Sequence, residues 1–231
     1  MPNTHDVILV GGGIMSCSIA YSLAKEGARP LILERDAIAC GASGTAAGLI
    51  SPLAEFHDDG PLTDMAIEGL RLHRELAKEL PVRSGIDYHF ADVHTLRPAF
   101  TEADEERLRA TLGWQHSKGM NVAWLGPEDL LQCDSRLTPE ARGALLSQGE
   151  AQVEPYRLVL AFTQATERMG GEVRYATVIG LTRRGDRVTG VRLADGSIIE
   201  AAHVLLAMGP WTAWTRAWTG VHIPVEPLRG Q

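Results

Sequence analysis

Val7-Ile-Leu-Val-Gly-Gly-Gly-Ile-Met-Ser16 decides the fold, because an apolar run stops at three glycines and passes at once into a helical pattern. Val7 to Val10 has the composition of a strand buried in a parallel sheet. A strand that turns this sharply into a helix aims the helix's first amides and positive dipole end at one point, which suits a pyrophosphate. Gly11 permits the turn and Gly13 lets the backbone approach a phosphate, with Ile14 and Met15 opening the helix. The third small position of this dinucleotide-binding fingerprint holds Ser16 in place of Gly or Ala. Working outward, the helix runs from about Ile14 to Glu26, with Ile14, Cys17, Ala20, Tyr21 and Ala24 at helical spacing and Gly27 as its stop. A second apolar strand, Pro30 to Leu33, ends in Glu34, about 23 residues after Gly11, where a carboxylate accepts hydrogen bonds from ribose hydroxyls. The plainer alternative for Glu34 is a solvated charge at a strand end. Arg35 would suit a 2′-phosphate, but Glu34 beside it repels that group, which disfavours NADP.

Composition sets the outer limits. The chain has 231 residues, 45% of them hydrophobic, enough for a sizeable core and one or two domains. A net charge of −7 without a basic run argues against nucleic acid as a partner; Arg183, Arg184 and Arg187 read as a solvated hairpin tip. No apolar stretch approaches the roughly 20 residues of a membrane span, and Met1 to Asp6 lacks the features of a secretory signal, so a cytoplasmic protein is expected. Cys17, Cys40 and Cys133, odd in number and widely spaced, suit reduced thiols.

Further along, Cys40-Gly-Ala-Ser-Gly-Thr-Ala-Ala-Gly48 is a run of small residues that suits close approach of backbone to a flat or phosphorylated ligand. A flexible linker has similar composition, but Leu49-Ile50 follows, which favours the ligand. A long helix is expected from about Leu62 to Leu80. Beyond it, strand-like pieces at Asp87 to Phe90, Val93 to Leu96 and Val122 to Leu125 alternate with a helix at Glu102 to Leu112, opened by the capping pair Thr101 and Asp104. A helix from Pro155 to Met169, strands Glu172 to Tyr175 and Val178 to Thr182, and turns at 184–187 and 194–196 make a meander. His203 to Met208 reads as a buried strand, and Trp211 starts a last helix in which Trp211, Trp214 and Trp218 share a stripe that reads as core packing. There is no internal repeat.

With its segments in this order, the chain resembles the FAD-dependent D-amino acid oxidase superfamily, and within it the glycine oxidases. The resemblance covers essentially the whole chain and is carried by Val10-Gly-Gly-Gly-Ile14 with Glu34, Ala46 to Glu55, Gly143 to Leu146, Val153 to Tyr156, Leu206 to Trp211 and Pro224 to Gln231. It implies an α/β fold: a Rossmann-like FAD-binding domain with an inserted, incomplete mixed α+β substrate domain. Residues 1–80 would be the first part of the FAD-binding domain, 81–149 the inserted segment, 150–220 the second part, and 221–231 the start of a C-terminal substrate-domain segment. By the same resemblance Gly11, Gly13 and Glu34 hold the ADP half of FAD, with Ile14, Met15 and Arg35 beside them. Ser43, Gly44, Thr45, Ala46, Ala47 and Gly48 line the pyrophosphate and flavin. The Val178 backbone meets the adenine, Ala207, Gly209 and Trp211 pass the dinucleotide, and Leu49 borders the substrate beside the flavin ring. Thr45 stands where some relatives attach flavin through a His, so FAD is expected to be non-covalent.

The activity this implies is oxidation of a small amino acid, with oxygen as the second substrate and hydrogen peroxide as a product; a dehydrogenase subunit or a non-catalytic flavin-binding fragment are the alternatives. No residue is assigned a catalytic role. Family members continue past Arg229-Gly-Gln231, so the chain reads as truncated there. Its site would then be completed in a homo-oligomer or by a second chain, and little turnover is expected of it alone. Arg97, Arg216 and Arg229 are the candidate anchors for a substrate carboxylate, each reading more readily as a surface charge. The eight histidines fall in no metal-ligand spacing, so no metal is expected. Gly41-Ala-Ser-Gly44 lacks the residue between Ser and Gly that a hydrolase elbow needs.

Overall fold

The structure, a computed structural model, describes residues 5–134 and 136–228. In chain order the first half contains β1 (His5–Val10), α1 (Ile14–Lys25), β2 (Pro30–Glu34), α2 (Ala42–Thr45), β3 (Leu49–Ile50), α3 (Pro52–Glu55), α4 (Pro61–Ser84), β4 (Ala91–Ala99), α5 (Glu102–Ser117) and β5 (Val122–Leu125). The second half contains α6 (Pro127–Cys133), β6 (Gly143–Gln152), α7 (Pro155–Arg168), β7 (Glu172–Tyr175), β8 (Val178–Arg184), β9 (Arg187–Leu193), β10 (Ile198–Leu206), a 3-10 segment (Gly209–Thr215) and α8 (Arg216–Thr219). The chain divides into two compact units. The first comprises residues 1–47, 79–88 and 154–231, the second residues 48–78 and 89–153. These boundaries differ from breaks after residues 80, 149 and 220, because Gly48 to Lys78 packs with the second unit.

The first unit is built on a six-stranded sheet in the order β7-β2-β1-β10-β9-β8. β2, β7 and β10 run parallel to β1 or its neighbour, while β9 and β8 return antiparallel. β1 and β2 are apolar nearly throughout because both of their faces are covered, as a parallel sheet requires. Ile8, Val10, Leu31, Leu33, Val191 and Leu193 form one core cluster. Helix α1 buries Cys17, Ala20, Tyr21 and Ala24; the Tyr21 ring meets Phe162 of α7 with centroids 5.4 Å apart. β10 is one nine-residue strand, Ile198–Leu206, and only partly buried, where a buried strand from His203 to Met208 was expected. Val204 and Leu206 reach the core while His203 is exposed. Residues 209–215 form a 3-10 turn, so no α-helix begins at Trp211.

The second unit carries the sheet β3-β6-β4, with β5 also paired to β6. Pro98 sits in β4, an edge strand, where a missing N–H breaks no ladder. Residues 87–90 form no strand, His89 having a φ of 54°. α5 begins at the expected capping box, with Asp104 N donating to Thr101 Oγ1 and Thr101 N to Asp104 Oδ2, and it runs five residues past Leu112 to Ser117. α4 continues through Pro81 to Ser84, past the expected end at Leu80, and Gly85 N closes it on the Pro81 carbonyl at 2.8 Å. Among the described residues no helix is long and apolar enough to cross a membrane.

Candidate functional site

The turn from β1 into α1 is built by exclusion of side chains. Gly11 has a φ of 107° and its N–H donates to the Leu33 carbonyl at 2.8 Å; a Cβ there would stand 2.6 Å from the Ala207 carbonyl oxygen. Strand β10 therefore closes the turn from the side, and only glycine fits. Gly12, which the fingerprint spacing does not single out, is confined by side chains: a Cβ would lie 2.7 Å from Ile38 and 3.0 Å from Glu34. Its N–H donates to Glu34 Oε2 at 2.6 Å, and Ile14 N donates to Ser43 Oγ at 3.0 Å. The amides of Gly13 and Met15 have no such acceptor among the described residues. An N-terminus of α1 with open amides and a positive dipole end is an anion-binding arrangement.

Around this turn lies a cleft of about 730 Å³, formed wholly by the first unit at the carboxyl ends of β1, β2 and β10, where open parallel sheets bind ligands. From β1 and its turn come Val10 to Met15; from β2, Leu33, Glu34 and Arg35; from the small-residue loop, Cys40 to Ser43; from the entry to β8, Val178; from the end of β10, Ala207 to Trp211. Glu34 is held in place, since its second oxygen accepts from Asp36 N at 2.7 Å. Arg35 Nε donates to Asp36 Oδ2 at 2.8 Å, and its guanidinium lies 5.6 Å above the Trp211 ring. Glu34, Asp36 and Cys40 bring three potential ligand atoms within 4.8 Å of one another. Asp36 is already paired with Arg35 and both Glu34 oxygens accept amides, so the group is engaged within the protein.

The sequence pattern described as DAO, FAD dependent oxidoreductase, matches residues 6–231. The chain belongs to this family of FAD-dependent oxidoreductases. FAD is the family's cofactor. The chain is 31% identical over 233 residues to a glycine oxidase of Geobacillus kaustophilus, covering all of this chain and 61% of that protein. It is 27% identical over 274 residues to the hydrogen cyanide synthase subunit HcnC of Pseudomonas aeruginosa, covering all of this chain and 64% of that one. The crystal structure of glycine oxidase from Geobacillus kaustophilus superposes with a TM-score of 0.90 at 29% identity, over 97% of this chain and 60% of that one. The chain thus spans about three-fifths of the length of the glycine oxidases it matches.

The expected residues of this FAD family fall into three groups. Gly11, Gly13, Ile14, Met15, Glu34, Arg35, Ser43, Val178, Ala207, Gly209 and Trp211 line the one cleft. Gly44, Thr45, Ala46 and Ala47 continue the loop without lining it; Thr45 Oγ1 turns back to the Gly41 carbonyl at 3.4 Å. Gly48 and Leu49 belong to the second unit, where the Gly48 carbonyl accepts from Val153 N at 2.9 Å and Leu49 pairs with Gln152. The tryptophan stripe does not pack into a core as expected: Trp211, Trp214 and Trp218 all line the cleft, and Trp214 is 66% exposed. Their helical spacing signalled a shared face but not what that face meets. Met208 and Thr177 also line the cleft and were missed, although each adjoins an expected position; Cys40, the first residue of the small-residue run, lines it too. Cys17, on the buried face of α1, contacts Thr163 Oγ1 at 3.4 Å, and burial pushes its thiol up to about 11. Of the candidate anchors, Arg216 is exposed on α8 and Arg229 lies outside the described residues. Arg97 is no surface charge: it is half-buried, and burial holds its guanidinium below the usual arginine range.

Proposed function

We propose that the cleft of the first unit holds FAD non-covalently and that the protein oxidises a small amino acid: glycine, sarcosine or a small D-amino acid. The observation that carries the cofactor site is the turn from Gly11 into α1, where a Cβ on Gly11 or Gly12 would collide with its neighbours, with the amides of Gly13 and Met15 lacking an acceptor among the described residues and a fixed carboxylate at the next strand tip. On this reading Gly11, Gly13, Ile14 and Met15 receive the pyrophosphate and Glu34 the ribose hydroxyls. Val178 meets the adenine, Arg35, Ala207, Gly209 and Trp211 complete the cradle, and Ser43 to Gly48 lead to the flavin, with Leu49 bordering the substrate. Thr45 offers no imidazole for covalent attachment. Bound FAD supplies a two-electron acceptor for the Cα–N bond of the amino acid, whose imine hydrolyses to the keto acid with release of ammonia or an amine, oxygen leaving as hydrogen peroxide.

Kinship with glycine oxidases supports the substrate class. The likeness to a subunit of hydrogen cyanide synthase favours a second reading, in which the chain works with a partner and electrons pass to an acceptor other than oxygen. Anaerobic addition of glycine, sarcosine, D-alanine and L-proline to FAD-loaded protein extended past Gln231 to the length of its relatives tests both. Bleaching of the flavin band near about 450 nm by a small amino acid, reversed by air with release of peroxide, is the expected result. Bleaching reversed only by an artificial dye selects the second reading; no bleaching by any of the four overturns the substrate class.

A further inference from the structure

Leu53 and Ala54, in the one-turn helix α3, have all four of their backbone polar groups engaged by side chains. Glu150 Oε1 accepts from Leu53 N at 2.8 Å and from Ala54 N at 2.9 Å. Gln115 Nε2 donates to the Leu53 carbonyl at 2.8 Å, and Arg97 Nη1 donates to the Ala54 carbonyl at 3.3 Å. The three residues come from β6, α5 and β4, all within the second unit. Glu150 and Gln115 are fully buried, and Thr95 Oγ1 donates to the other Glu150 oxygen. The grip extends to His57, whose carbonyl accepts from Trp114 Nε1 at 3.0 Å and whose Nδ1 lies 3.3 Å from Arg97 Nη1.

A four-residue helix has almost no stability of its own, and at a surface its amides would be left to water. Apolar packing of Leu53, which is 4% exposed in its core cluster, would hold the segment without any charge. Burying a carboxylate is unfavourable unless it is fully hydrogen-bonded, and here its partners are chiefly the backbone of one turn. Arg97 Nε and Nη2 and Gln115 Oε1 have no partner among the described residues. The side chains therefore serve the turn ahead of one another. Only Ser51 separates this turn from β3, and β3 pairs with β6 at Ala151 and Gln152, immediately beyond Glu150. Ladder and grip thus fix residues 49–54 to the same strand.

We propose that Glu150, with Gln115 and Arg97, is a positioning residue: the clamp on Leu53 and Ala54 sets β3 and with it Leu49. Its functional half rests on the reading above that Leu49 borders the substrate. The test compares Glu150→Gln and Glu150→Leu in the same extended, FAD-loaded protein. Glutamine keeps an acceptor for both amides and a donor for Thr95, so it should match the wild type within about threefold in amide exchange over residues 49–57 and in KM. Leucine keeps the bulk and removes the acceptor. Exchange over 49–57 should then rise about 10- to 100-fold while residues 7–25 are unchanged, the Leu49 methyl resonance should move, and KM for the amino acid should rise more than kcat falls. Should Glu150→Leu fail to fold, Gln115→Leu removes one grip and should give the same pattern, reduced to a few-fold. Wild-type exchange in a folded leucine variant overturns the clamp, as does faster exchange with an unmoved Leu49 resonance. A Leu49 resonance that follows Glu150→Leu but ignores added glycine, sarcosine and D-alanine overturns the substrate reading of Leu49 alone.

Discussion

After β1 the chain turns into α1 through glycines, and the space a side chain would take is closed by the Ala207 carbonyl, Ile38 and Glu34. After β3 the chain turns into α3 through Ser51-Pro52, and buried side chains crowd onto the backbone until all four polar groups of Leu53 and Ala54 are engaged. One turn keeps the amides of Gly13 and Met15 open, and the other leaves Leu53 and Ala54 none. Unsatisfied amides at a helix start are tolerable where a ligand or water takes them; amides buried away from solvent must be satisfied by the protein. A strand-to-helix turn that is empty of side chains is thus a receiving surface, and one that is full of them is a fixture.

The sharpest way to break this contrast is Gly11→Ala. The left-handed φ and the overlap with the Ala207 carbonyl should together lower stability by about 2–6 kcal/mol, read from urea unfolding. Gly69→Ala in α4, where a Cβ meets nothing within 4 Å, is the control and should be neutral or stabilising by up to about 1 kcal/mol; equal effects of the two would remove the cradle argument.

Saturation with FAD at about 100 times its dissociation constant should stabilise the protein by about 2.7 kcal/mol. Hydrogen exchange should slow more at Gly13 and Met15 than at Leu53 and Ala54, whose donors are already taken. Slowing at both turns alike would erase the distinction.

Glu34→Ala should weaken FAD by about 1.5–3 kcal/mol, roughly ten- to more than a hundredfold in dissociation constant. It should also lower the melting temperature of the apoprotein, because Gly12 and Asp36 lose their acceptor. Flavin fluorescence titration separates the two effects, and unchanged affinity would make Glu34 a strut for the turn only.

The smallest effect lies away from both turns. The Lys25 ammonium, with the Tyr21 hydroxyl and Arg83, holds the Glu79 carboxyl below its ordinary value of 4.5. A carboxyl depressed by folding adds stability above its unfolded pKa and loses it as pH falls through the folded one. Glu79→Gln should therefore flatten the decline of the melting temperature between about pH 5 and pH 3, leaving FAD affinity at neutral pH as in the wild type.

Much of the first unit was legible because its signals are local: four apolar residues, a glycine turn, an acid at the next strand tip, hairpin turns at 184–187 and 194–196. The Thr101–Asp104 box was legible for the same reason. β6 was not, since Ser147 and Glu150 are polar yet fully buried and break the apolar pattern of a central strand. The clamp was invisible because Arg97, Gln115 and Glu150 lie far apart in the chain and meet Leu53 only in the fold. The tryptophan stripe was seen and misjudged, because spacing gives a shared face and says nothing of its neighbour.

β1 pairs with β10 in parallel, Val7 opposite His203, so the central pair of the sheet joins segments about 200 residues apart, and closing so long a loop is entropically slow. At synthesis rates of about 5–20 residues per second, β1 waits roughly 10–40 s on the ribosome with only β2 beside it. During that interval an apolar strand edge is open to mispairing. Because the Ala207 carbonyl walls in Gly11, the cradle is complete only when β10 arrives, so that on the proposed reading cofactor loading is a late event in the birth of the chain.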